Sequence, residues 1–169
     1  MAVPTLYFED TNWETGARSS PAWSIGVLKV DTDSSEDTRY LSHNCPNDDI
    51  TSVALYITGT DAAEIADWAT GSGYGVSVAE ASGTGAADWG AYAGIYSTTR
   101  TGAGAYNLQY GNVDPQNGAS TAAGIKRYNT TVPEGQSRQK YKIKIPAAET
   151  AGSRSFNITA AFDYTEEAP

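Results

Sequence analysis

From Lys140 to Tyr164 the chain reads KYKIKIPAAETAGSRSFNITAAFDY. Lys140, Lys142 and Lys144 alternate with Tyr141, Ile143 and Ile145. A strand sends successive side chains to opposite faces, so this period of two sets ammonium groups on one face and apolar groups on the other. After a turn-rich connection the alternation resumes. Phe156, Ile158, Ala160, Phe162 and Tyr164 point one way; Asn157, Thr159, Ala161 and Asp163 point the other. Two half-buried strands of this kind make a β-hairpin or a pair placed across a sandwich. The rest of the chain must supply the sheet surface that buries those aromatics.

A chain of 169 residues suits one domain and buries roughly 70% of its unfolded surface. We expect a single β-sandwich domain over 1–169, with a Gly/Ala-rich loop region at 71–104. Cys45 is the only cysteine, so no internal disulfide forms. No stretch approaches the ~20 apolar residues that span a bilayer, so no membrane insertion is expected. The start, MAVPTLYFEDTNWE, has neither a basic region nor an apolar run and does not read as a secretory signal.

Charge is unevenly placed. The formal net charge is −9, which disfavours nucleic acid, since phosphate neutralisation drives that affinity. Residues 1–100 carry 14 acids and 4 bases, whereas residues 101–169 carry 6 acids and 7 bases. Arg138, Lys140, Lys142 and Lys144 therefore form a basic stripe on an acidic body. Such a stripe suits docking between copies, against acids such as Asp31, Asp33, Glu36 or Asp37. The competing reading is a solvated face whose lysines guard a sheet edge.

Further strands are expected at Thr5–Asn12, Trp23–Val30 with a bulge near Gly26, Thr38–His43, Ile50–Thr58, Ala105–Tyr110 and Gly124–Val132, with hints around Val76, Val78 and Ile95. One short helix is expected near 61–69, with Asp61 as its cap and Glu64 completing a capping box. The total is about eight or nine short strands: an all-β fold, an immunoglobulin-like or jelly-roll antiparallel sandwich.

Two stretches carry a resemblance. Residues 25–58 read IGVLKVDTDSSEDTRYLSHNCPNDDITSVALYIT, and residues 130–164 read TTVPEGQSRQKYKIKIPAAETAGSRSFNITAAFDY. The first resembles the strand, acidic loop, strand, Asn-rich turn, strand run of immunoglobulin-like virion and surface domains; the second resembles their closing strands. The resemblance implies a sandwich with a structural or adhesive role. Without a signal peptide, it favours assembly inside a cell, as for a virion component, over an extracellular or cell-surface protein.

Chemical motifs are sparse. His43 and Cys45 share a strand face, but zinc normally needs four ligands, and nucleophilic catalysis needs a base in reach and a group to orient it. No G-x-S-x-G, H-E-x-x-H or phosphate-loop pattern occurs. Glu80, Glu134 and Glu149 lack any context marking a carboxylate pair. The acidic run Asp31–Asp37 alternates oxygen ligands as calcium sites do, but Glu36 and Ser42 stand where an EF-hand needs glycine and an acid; a solvated loop is the favoured reading. Asn129 and Asn157 begin N-x-[ST] matches. Trp89, Tyr92 and Tyr96 are candidates for a carbohydrate platform, although core and subunit-interface roles rank ahead. No catalytic residue, metal or cofactor is assigned. The expectation is a structural subunit of a repetitive particle, a capsid decoration or tail surface protein, docking through its termini and the Arg138–Lys144 strand. Its partners would be further copies or a shell or tail protein of the same particle. The alternatives are a carbohydrate-binding or adhesin domain and a surface-filament subunit.

Overall fold

A computed structural model describes residues 3–10, 20–43, 48–70, 73–82, 86–109 and 138–166. The described residues form two antiparallel sheets and one helix. In chain order the elements are β1 (Leu6–Glu9), β2 (Asp37–His43), β3 (Asp48–Thr58), α1 (Ala62–Trp68), β4 (Gly75–Glu80), a 3-10 turn at Ala86–Asp88, β5 (Ala93–Ile95), β6 (Tyr106–Asn107), β7 (Arg138–Lys144) and β8 (Asn157–Glu166). The larger sheet runs β1-β2-β7-β4-β5 and the smaller β6-β3-β8. This is the expected all-β sandwich. The Lys140–Tyr164 stretch is not a hairpin: β7 lies in one sheet and β8 in the other.

Alternation sets which residues enter the core. On β7, Gln139, Tyr141 and Ile143 are buried while Arg138, Lys140, Lys142 and Lys144 are half-buried on the opposite face. Neighbouring strands add Leu41, Val76, Val78 and Ile95 to the inner face, and β3 adds Val53, Leu55 and Ile57 from the facing sheet. Phe156, Ile158, Ala160 and Phe162 pack on this core only in part, and Tyr164 is exposed at the strand's end.

Helix α1 is short, so tertiary packing must hold it. Ile65, Ala66 and Trp68 are its buried stripe. The expected capping box is absent. Asp61 makes no side-chain cap bond; its carboxylate instead accepts the backbone N–H of Ser155 at 2.6 Å. Glu64 is held by Arg154 Nε and Nη2 at 2.8 and 2.7 Å. The long-range partner lies on the segment leading into β8, where local spacing could not reveal it. The helix ends against β4, and a Cβ added at Gly75 (φ +73°) would lie 2.7 Å from the Ala69 Cβ.

Three strand expectations change. Trp23–Val30 is not a strand. Trp23, Ile25 and Leu28 pack against the core from a segment with no strand assignment, with Gly26 at φ +69°. β6 is only Tyr106–Asn107, and β1 stops at Glu9. The expected strand at Gly124–Val132 lies outside the described residues, as do Cys45, Tyr110, Asn129 and Glu134. β3 is longer than expected and carries an irregularity between Thr51 and Ala54, with Ser52 at φ +53°. No helix among the described residues is long and apolar enough to cross a membrane.

Candidate functional site

The outward face of β7 is the most densely connected polar surface among the described residues. Its construction starts with register. β2 pairs with β7 only as far as Asp37 opposite Tyr141. Beyond that point the acidic loop continues along β7, because Ser34 N–H donates to the Ile143 carbonyl at 2.9 Å and Asp31 N–H to the Ile145 carbonyl at 2.8 Å. An isolated bridge joins Asp33 to Lys144. The loop thus lies beside the lysine row. Asp31 adopts φ +58°, a left-handed conformation that Asp tolerates better than most residues.

On the other flank, β4 places Gly75, Ser77 and Ala79 opposite Lys144, Lys142 and Lys140. Each lysine thereby faces a small residue, which leaves room for aromatic rings to reach over the strand. Lys144 Nζ lies 4.9 Å from the Tyr74 ring, Lys142 Nζ 4.5 Å from Tyr92 and Lys140 Nζ 4.3 Å from Trp89; Arg138 also sits over Trp89, at 4.6 Å.

Each lysine also has a carboxylate. Lys144 pairs with Asp31 at 2.9 Å, Lys142 with Asp33 at 3.0 Å and Lys140 with Glu36 at 3.1 Å. Two phenols close the sets: Tyr74 Oη donates to Asp31 Oδ1 at 3.1 Å and Tyr92 Oη to Glu36 Oε1 at 2.6 Å. The result is a ladder of lysine, carboxylate and aromatic groups within one chain. Hydrogen bonds from Lys144 and Tyr74 lower the Asp31 pKa, and those from Tyr92 and Lys140 lower that of Glu36. Burial, followed by the Glu36 bond and charge, pushes the Tyr92 phenol well above its ordinary value. Exposed ion pairs contribute roughly 0–1 kcal/mol singly, so it is the shared geometry rather than any one pair that orders this face.

The acidic loop is therefore not simply solvated. Asp31, Asp33 and Glu36 are the carboxylates expected to meet the stripe, and here they meet it from the same chain. Of the three candidate platform aromatics, Trp89 and Tyr92 lie beneath β7 cations. Tyr96 is 42% exposed, with its ring so close to Gly104 that an added Cβ would fall 2.1 Å from it. Tyr74 belongs to the ladder and was not anticipated. Its signal is its place immediately before the small-residue strand β4, but reading it requires knowing that β4 neighbours β7.

The other chemical candidates are buried or hydrogen-bonded within the chain where described. His43 is fully buried. Glu80, 4% exposed, accepts the Gln109 N–H at 2.7 Å. Glu149 accepts from Trp68 Nε1 at 3.1 Å and pairs with Arg154 at 3.0 Å. No group of three or more potential metal ligands occurs among the described residues.

A second surface stands out at residues 22–30. Its sequence, AWSIGVLKV, is strand-forming, yet among the described residues Ala22–Lys29 make no backbone hydrogen bond. Val27 is fully exposed and Val30 is 44% exposed. A groove of about 800 Å³ is lined by this strap together with Ile65, Trp68, Ile143 and Ile145. The strap also borders Phe156 and the first two residues of β8, Asn157 and Ile158, and among the described residues β8 is an edge strand. Compared with known proteins, the chain matches no family model, no curated protein and no solved structure.

Proposed function

We propose that this chain is a non-enzymatic structural subunit of a repetitive assembly, of the virion-surface kind, and that it joins further copies by strand addition at the strap. The observation that carries the proposal is the strap itself: strand-forming residues that make no backbone hydrogen bond among the described residues, with Val27 fully exposed. Main-chain groups and alternate side chains of this kind accept an added strand. The chain also supplies the complementary element, because β8 presents an open edge of ten residues among the described residues. A strap on one copy and an edge on the next make a heterologous contact, which propagates into rings or filaments. The Lys140, Lys142 and Lys144 ammonium groups have carboxylate partners within the chain, which supports the strap over the basic stripe as the docking surface. The carbohydrate reading has less support, because cations cover Trp89 and Tyr92.

Sedimentation velocity over a concentration series, with negative-stain microscopy, tests this. The wild-type chain should associate as concentration rises. Val27→Asp should remain monomeric with unchanged melting, since its side chain contacts solvent alone. A wild-type chain that stays monomeric throughout, or a V27D variant that assembles normally, refutes the proposal.

A further inference from the structure

The strap carries a charge with no counterpart beside it. Lys140, Lys142 and Lys144 each have a carboxylate partner, whereas Lys29 is exposed and makes no ion pair among the described residues. Lys29 stands between Leu28, which packs on the core in part, and Val30, which is 44% exposed. No backbone hydrogen bond ties Ala22–Lys29 down among the described residues.

The β8 edge carries the opposite charge in a matching setting. Asp163 is the one acid in the stretch Asn157–Tyr164. Its side chain is 59% exposed, more than that of any other ion-paired carboxylate among the described residues. Arg100 Nη2 holds one of its oxygens, Oδ1, at 2.8 Å. An exposed pair of this kind is weak, and the second oxygen can accept another cation. Asp163 is flanked by Phe162, which packs on the core in part, and Tyr164, which is 38% exposed. Alternation sets these two rings on the opposite face of the strand from the carboxylate.

Resting on the strand addition proposed above, we propose that Lys29 of one copy pairs with Asp163 of the next and so fixes the register of the contact. Residues opposite each other in paired strands share a face. With Lys29 opposite Asp163, Leu28 and Val30 fall beside Phe162 and Tyr164 whether the strands run parallel or antiparallel. Val30 and Tyr164, both exposed in the single chain, then cover each other. A slip of one residue sets the ammonium group among the rings and the carboxylate against Leu28 or Val30, so one register satisfies both faces. Charges at such a contact select partner and register more than they add affinity.

Sedimentation velocity of the full chain at low salt tests this with Lys29→Glu and Asp163→Lys. Each variant alone sets like charges across the contact and should need at least about tenfold more protein to associate. An equimolar mixture of the two should recover wild-type association, because the altered strap of one then meets the altered edge of the other. Salt at about 1 M, where the screening length is about 3 Å, should narrow the gap between each variant and the wild type. K29E should melt as the wild type does, and recovery in the mixture shows that D163K, which also loses the Arg100 pair, is folded. A single variant that associates like the wild type, or a mixture no better than its components, overturns the pairing. If V27D still blocks association in that case, strand addition at the strap stands without this register; a wild-type chain that stays monomeric throughout removes both.

Discussion

Reversing one rung of the β7 ladder should destabilise the fold without touching assembly. In Lys142→Glu the new carboxylate faces Asp33, whose partner Nζ now lies 3.0 Å away, and the contact with the Tyr92 ring at 4.5 Å is lost. Unit charges 3 Å apart interact by about 1.4 kcal/mol at the dielectric of water. Lys142 and Asp33 are 26% and 48% exposed, so solvent screens the pair and about 1 kcal/mol is the appropriate scale. Loss of attraction, partial repulsion as the side chains swing apart, and about 0.5–1 kcal/mol for the cation–π contact together give about 2 kcal/mol. With a urea dependence of about 2 kcal/mol/M, the midpoint should fall by about 1 M. Adding Asp33→Lys restores the charge pair but not the ring contact, so the double variant should recover about half of the loss. Raising salt to about 1 M shortens the screening length to about 3 Å and should shrink the single-variant effect. Equilibrium unfolding followed by tryptophan fluorescence reads all three. A midpoint change within error at low salt, or a double variant no better than the worse single, refutes an internally paired ladder.

Acid should weaken the same face: the Asp31 and Glu36 pKa values are lowered in the folded chain, so their contribution is complete above the ordinary carboxylate range and is lost as pH falls through the folded values. A urea midpoint that does not fall between about pH 5 and pH 2 contradicts this. The Tyr92 and Tyr141 pKa values are raised, with burial the largest cause in each; stability is therefore full below the ordinary phenol value of about 10 and should decline above it. Phenolate absorbance from these two rings should appear only with unfolding. Gly75→Val combines a left-handed backbone with a Cβ 2.7 Å from that of Ala69, and should cost about 2–4 kcal/mol in thermal or chemical unfolding. Ile65→Ala removes a fully buried side chain from the helix and should cost about 2–5 kcal/mol; a loss below about 1 kcal/mol would mean that α1 is not docked as described.

Local pattern made part of this molecule legible. The alternation of Lys140–Ile145 assigned both faces of β7, because period two is a property of the backbone alone. The β-rich run at Ile50–Thr58 and the short helix were legible for the same reason. The strap shows where such reasoning stops. Trp23–Val30 has the composition of a strand, but a strand requires a neighbour to receive its N–H and C=O groups, and composition does not supply one. Asp61 and Glu64 have capping-box spacing, yet Ser155 and Arg154, more than 80 residues away in the chain, claim their carboxylates.

The ladder divides in the same way. From the sequence alone come its ingredients: a row of bases on one strand face, an acidic run at 31–37 and aromatics in the Gly-rich region. Tertiary structure decided that these meet within one chain. The sheet order sets β7 between β2 and β4, so the loop before β2 brings the acids to one flank, and Gly75, Ser77 and Ala79 open the other to Tyr74, Tyr92 and Trp89. Side-chain alternation is dictated by each residue's own backbone, whereas strand neighbours are chosen by the burial of the whole core, which no local stretch encodes.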